Sequence, residues 1–154
     1  MLLPRQMSAA MAVPPKTGTP AYVKAHATGR WAEIIFRALS ARVAERWHFV
    51  SFRGANKGEW RGVVDLVAIR KNSSQPTGEL LKRGDLFDVV LIQVKGGSAR
   101  NPTGNDCLRL RKVATLYRAK TVVQFQWRKG KSSKFFVLGR NLKWKPTTSQ
   151  TLFG

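Results

Sequence analysis

The chain has 154 residues, enough for one domain with tails and a hydrophobic core that needs no staples. Its 28 Lys and Arg stand against 8 Asp and Glu, a formal net charge of +20 that repels the chain from itself and attracts polyanions. One cysteine, Cys107, excludes an internal disulfide, and with only two distant His residues it makes no zinc pattern; no apolar run is long enough to span a bilayer, so no membrane is expected and a reducing cytoplasm is the expected setting.

The opening "MLLPRQMSAAMAVPPKTGTP" has its apolar residues interrupted by Pro4, Arg5 and Gln6, unlike the continuous core of a signal peptide. Residues 1–22 are expected to be a disordered tail, with Met7 or Met11 as alternative starts. Trp31, Ile34, Ile35, Ala38, Leu39, Val43 and Trp47 then recur at helical spacing, which predicts an amphipathic helix over 29–47 with Thr28 as its N-cap. "HFVSFRG" reads as a short strand, "ANKGEW" as a turn and "RGVVDLVAIRK" as a strong strand. A turn-rich loop leads to a second strong strand, "LFDVVLIQVKGG".

After the loop "SARNPTGND", "CLRLRKVATLYRAK" reads as a helix with Leu108, Val113, Leu116 and Tyr117 as its apolar face. "TVVQFQWRK" and "KFFVLGR" read as strands around a turn containing Gly130, and 141–154 as a C-terminal tail or ordered cap. The order helix, three strands, helix, two strands predicts an α/β domain over 23–140, a mixed sheet flanked by helices. Both sheet faces are expected to be covered, because the strong strands are almost continuously apolar.

From Lys95 onwards there are 14 basic residues and one acid, Asp106. The second helix concentrates Arg109, Arg111, Lys112, Arg118 and Lys120, which makes it the candidate phosphate-contacting surface. The alternative is an ordinary solvated face. Trp60, Trp127 and Trp144 are better read as core than as base-stacking platforms, Cys107 as packing, and His26 and His48 carry no motif.

Polar groups inside the two strong strands carry the chemistry. Asp65 interrupts "GVVDLVAIR", while Gln93 and Lys95 lie two apart near the end of "VVLIQVKGG" and so share a face. Antiparallel pairing brings the start of the first strand to the end of the second, so an acid, an amide and an ammonium converge. An acid with neutral oxygens suits a hard divalent cation such as Mg²⁺, and the Val94 carbonyl can add another oxygen. Gly96 and Gly97 would let a backbone phosphate approach closely. The competing readings are an Asp65 ion pair with Arg61, a satisfied buried Gln93 amide and a Lys95 that snorkels to solvent. Asp88 is a rival acid, but it lies on the other face and towards the other end of its strand.

Asp65 followed by Gln93-Val94-Lys95, within this order of elements, resembles the PD-(D/E)XK nuclease superfamily, over about residues 29–138. Gln93, where an acid is usual, resembles the Gln-x-Lys variant of restriction-like nucleases, and Val64 stands where proline is common. The resemblance implies a restriction-endonuclease-like core and Mg²⁺- or Mn²⁺-dependent hydrolysis of DNA. It implies Asp65, Gln93 and the Val94 carbonyl as metal ligands, Lys95 as the group that positions the attacking water, and Glu33 on the first helix as a further acid of the metal site, holding the metal or a metal-bound water. Glu33 also reads as a first-turn acid or an i,i+4 partner of Arg37. Small stand-alone relatives, such as Holliday-junction resolvase-like proteins, often form homodimers. The alternative expectation is a non-catalytic nucleic-acid-binding module on the same fold; an RNA-binding accessory protein would rest on charge alone.

Overall fold

The computed structural model describes residues 21–41, 46–52, 62–78 and 80–154. In chain order the elements are α1 (Ala21–Ala41), β1 (His48–Ser51), β2 (Leu66–Lys71), β3 (Phe87–Gly96), α2 (Gly104–Leu116), β4 (Thr121–Trp127), β5 (Lys134–Leu138), β6 (Trp144–Thr147) and α3 (Ser149–Phe153). Among the described residues, six strands form one sheet in sequential order, with β3 and β4 parallel and the other neighbours antiparallel. A parallel pair needs a crossover, and α2 supplies it.

The strands alternate between two cores. Val90 and Ile92 of β3 join Leu66, Ala68, Val123 and Phe125 beneath α1. Leu91 joins Val122 and Leu138 beneath Cys107, Leu110 and Ala114 of α2. The sheet is therefore covered on both sides, as its apolar strands require.

Helix α1 begins well before residue 29, and Thr28 lies inside it rather than at its cap. Its buried stripe is Ala32, Phe36 and Ser40, with Ile35 and Leu39 beside it. That is the i, i+3, i+4, i+7, i+8 pattern counted from Ala32. Trp31 and Ile34, expected on this face, are exposed. Phe36 decides the rotation, because its ring stands edge-on to Phe49, Phe125 and Phe153 at centroid distances of 5.4–6.1 Å. Trp47 lies outside the helix and packs on Phe153.

Helix α2 is held at both ends. Thr103 Oγ1 accepts from the Asp106 N–H at 3.2 Å and the Asp106 carboxylate accepts from the Thr103 N–H at 2.9 Å, a complete capping box. At the other end, Ala119 N–H donates to the Ala114 carbonyl and Arg118 N–H to the Thr115 carbonyl, with Arg118 at φ +51°. This is a Schellman stop with arginine where glycine is usual, so the helix ends before the expected Lys120. Its buried face is Cys107, Leu110 and Ala114, flanked by Val113; Leu108, Leu116 and Tyr117 are exposed. The register starts at Cys107, one residue away from the apolar face read from the sequence.

The segment 141–154 is no tail. β6 pairs with β5, and α3 lays Phe153, 2% exposed, against Phe36, Trp47 and Phe49. Thr148 caps α3 by accepting from the Thr151 N–H. The element order therefore runs past the expected last strand by one more strand and a helix. Ala21 and Tyr22, expected in the N-terminal tail, open α1, while residues 1–20 of that tail, the expected turn at 55–60, Trp60 and Arg61 lie outside the described residues.

Candidate functional site

The β2–β3 pair is antiparallel, with Leu66 opposite Ile92 and Lys71 opposite Phe87. The ladder stops at Leu66, and β3 continues beyond it through Gln93, Val94 and Lys95. The mouth of the β2–β3 pair is this end of the ladder, where β2 stops and β3 runs on. Asp65 stands in it: its N–H donates to the Ile92 carbonyl at 2.9 Å and its Oδ2 accepts from the Val94 N–H at 2.6 Å. Backbone N–H groups of a strand point within the sheet, so the carboxylate lies in the plane of the sheet and belongs to neither face. It replaces the ladder partner that Val94 would otherwise lack.

A strand residue's N–H and C=O point towards the same neighbour. The Val94 carbonyl therefore faces the same mouth as the Asp65 carboxylate. On either side of Val94, Gln93 and Lys95 project to the α2 face, as Leu91 does. The Lys95 charge acts on Asp106 at the start of α2. Hydrogen bonds from the Thr103 backbone and side chain hold the Asp106 carboxyl below its ordinary value of 3.8, with Arg109 and Lys95 adding smaller pulls of the same sign.

Gln93 is 6% exposed, and its Oε1 is buried with no hydrogen-bond partner. Gln124, directly opposite on β4 and 1% exposed, has an equally unpartnered Nε2. Unpaired buried amide atoms are costly, typically about 1–3 kcal/mol each, and two of them face each other here, while single unpartnered atoms lie elsewhere on Ser40, Trp47, Ser51 and Trp144. Gln126 continues the row and donates to Asn101 Oδ1 at 2.8 Å. Sequence reasoning passed over this row, although the alternation in "TVVQFQW" puts Gln124 and Gln126 on one face. After Lys95 the chain turns at Gly97, φ +59°, a left-handed conformation that glycine accepts without penalty.

The Asp65 carboxylate and the Val94 main-chain carbonyl are oxygens of the kind a hard divalent cation takes, and the residue before, Gln93, carries an unpartnered amide oxygen. Among the described residues, no three His, Cys, Asp or Glu side chains gather as a metal site, so such a cation would depend on these neutral oxygens. Glu33 belongs to α1, which covers the face opposite Lys95, and it accepts from Arg37 at 3.3 Å, as i,i+4 spacing allows.

The rival acid, Asp88, is consumed structurally at the other end of β3. It accepts from Arg70 Nε and Asn72 Nδ2 at 3.0 Å each, with the Lys120 ammonium 3.7 Å away. Lys120 is therefore partly engaged there. Among the other cations expected to meet phosphate, Arg111 is withdrawn from that role, because its guanidinium donates to the Leu138 and Gly139 carbonyls and ties α2 to the end of β5. Arg109 is exposed and 3.7 Å from Asp106; Lys112 and Arg118 are exposed.

The fold and this mouth define an α/β domain with a mixed sheet between helical layers, and no helix among its described residues is long and apolar enough to cross a membrane. No family model matches the chain, and no curated protein matches it.

Proposed function

We propose that this chain is a metal-dependent nuclease with a restriction-endonuclease-like core, which hydrolyses phosphodiester bonds in DNA. The observation that carries the reading is the mouth between β2 and β3, where Asp65 is fixed against Val94 with Gln93 and Lys95 on either side. The run of elements from α1 through β4 supports it, with three antiparallel strands and a parallel fourth reached through α2.

Asp65, the Val94 carbonyl and Gln93 Oε1 would hold Mg²⁺ or Mn²⁺, which supplies a Lewis acid for a phosphoryl oxygen. The Val94 N–H orients the Asp65 carboxylate, so that oxygen does not have to be ordered during the reaction. Lys95 presents an ammonium beside the mouth, where it holds the attacking water and meets the negative charge that develops on the phosphorus oxygens. The net charge of +20 draws the polyanion in. Such cleavage needs a barrier reduction on the order of 20 kcal/mol, most of it from positioning and charge.

The test is cleavage of labelled DNA by the purified chain with Mg²⁺ or Mn²⁺, against the same mixture in EDTA, together with calorimetric titration of Mn²⁺ into wild type and Asp65→Asn. Metal-dependent cutting and a heat of binding that vanishes in Asp65→Asn are the expected results. No cutting, with no metal binding that depends on Asp65, overturns the reading.

A second reading, a non-catalytic DNA-binding module on this fold, is favoured by one observation. The unpartnered Gln93 and Gln124 amides are neighbours in register, and a rotation of either can join them without any cation.

A further inference from the structure

Lys95, Gln126 and Lys134 lie side by side across three strands, because Lys95 pairs with Gln126 and Gln126 with Lys134. Registered partners share a face, so all three project on the α2 side of the sheet. Beyond them the β4–β5 connection closes in a turn, in which Lys131 N–H donates to the Arg128 carbonyl at 3.0 Å and Gly130 sits at φ +73°. That positive φ makes glycine the natural third residue of the turn and sets Arg128 and Lys131 at its two ends. Gln126, Arg128, Lys131, Ser132 and Lys134 line a cleft of about 480 Å³. It contains three cations and no acid, and none of the three has an ion-pair partner among the described residues.

Three exposed ammonium and guanidinium groups around one hollow repel each other unless an anion joins them. We infer that this hairpin cleft is a phosphate track for the DNA strand. It leads from Lys95 across the sheet end to Lys134, about 10 Å away at two strand spacings. The DNA backbone lies over the β4–β5 hairpin rather than along the exposed face of α2, and Gln126, fixed by Asn101, forms the floor between the two lysines. The proximity of this track to a cleavage centre rests on the nuclease reading; its affinity for DNA does not.

The experiment measures DNA binding by fluorescence anisotropy in EDTA, over a series of salt concentrations, with the full chain. Arg128→Gln/Lys131→Gln/Lys134→Gln is compared with a charge-matched control, Arg46→Gln/Lys71→Gln/Arg83→Gln, in the cleft at the opposite end of β2 and β3. The hairpin variant is expected to weaken binding about 10–100-fold and to flatten the log–log salt dependence by roughly 2–3 units, while the control changes both far less. Thermal melts matching wild type establish that both variants are folded. Equal losses in the two variants, no loss in the hairpin variant, or binding to anionic vesicles but not to DNA overturns the track. Absence of cutting by wild type in Mg²⁺ bears on the nuclease reading alone, since the anisotropy result stands without it.

Discussion

The two ends of β3 each meet an acid, and the strand meets the two in different ways. At the start of the strand, Asp88 is ringed by Arg70, Asn72 and Lys120, and Arg70 also stacks over Trp47 with its guanidinium carbon 4.5 Å from the ring centroid. At the far end, Asp65 holds the Val94 N–H at the mouth beside Gln93, whose amide oxygen is buried without a partner. A carboxylate enclosed by cations has its charge answered and serves the fold. A carboxylate held by a main-chain N–H where the ladder ends stands instead beside an amide oxygen that the fold buries without a partner. Acid content alone does not separate them; the Arg70 and Asn72 side chains hold one, and a main-chain N–H of β3 holds the other.

Crossed substitutions test that contrast. The largest effect is expected from Lys95→Ala, which should lower DNA cleavage about 10²–10³-fold, equivalent to about 2.7–4 kcal/mol of barrier, with the melting temperature unchanged. Equal cutting by this variant would remove Lys95 from the chemistry. Asp88→Ala should do the reverse. Leaving Arg70 without its carboxylate costs roughly 1–3 kcal/mol of stability by urea denaturation, with cleavage per folded molecule unaltered. If Asp88→Ala abolishes cutting in folded protein, the two ends are not functionally distinct.

A smaller effect is expected at the start of α2, close to Lys95. Thr103→Ala removes the acceptor for the Asp106 N–H and should destabilise the protein by about 1 kcal/mol, read as a lower urea midpoint. The smallest is a pH dependence. Thr103 holds the Asp106 carboxyl below 3.8 in the folded state, so its contribution is present above that value and is lost as the pH falls through the folded value. Between pH of about 5 and about 2, the melting temperature of wild type should fall more steeply than that of Asp106→Asn. Parallel curves would show that the capping box carries no proton linkage.

Much of the fold was legible because apolar periodicity reports strands and helices directly. "LFDVVLIQVKGG" could hardly be anything but a buried strand, and the period-two rule alone puts Gln93 and Lys95 on one face. Helix faces were read less well. On α1 the side chains of Trp31 and Ile34 match the helical period as well as Phe36 does, and only the ring contacts of Phe36 select the buried stripe. The helix stop at Arg118 left no glycine to mark it, and α3 is too short for periodicity to find.

The sequence by itself determined the alternation of elements from α1 to β5, the cationic charge and the candidate acid, amide and ammonium, because these depend on residue type and local spacing. Tertiary structure decided that Asp88 is ringed by Arg70, Asn72 and Lys120, that Arg111 is spent on backbone carbonyls, and that Arg128, Lys131 and Lys134 share one cleft. Those are properties of partners distant in the chain. Strand register and helix rotation bring them together, and neither is encoded in any single stretch of residues.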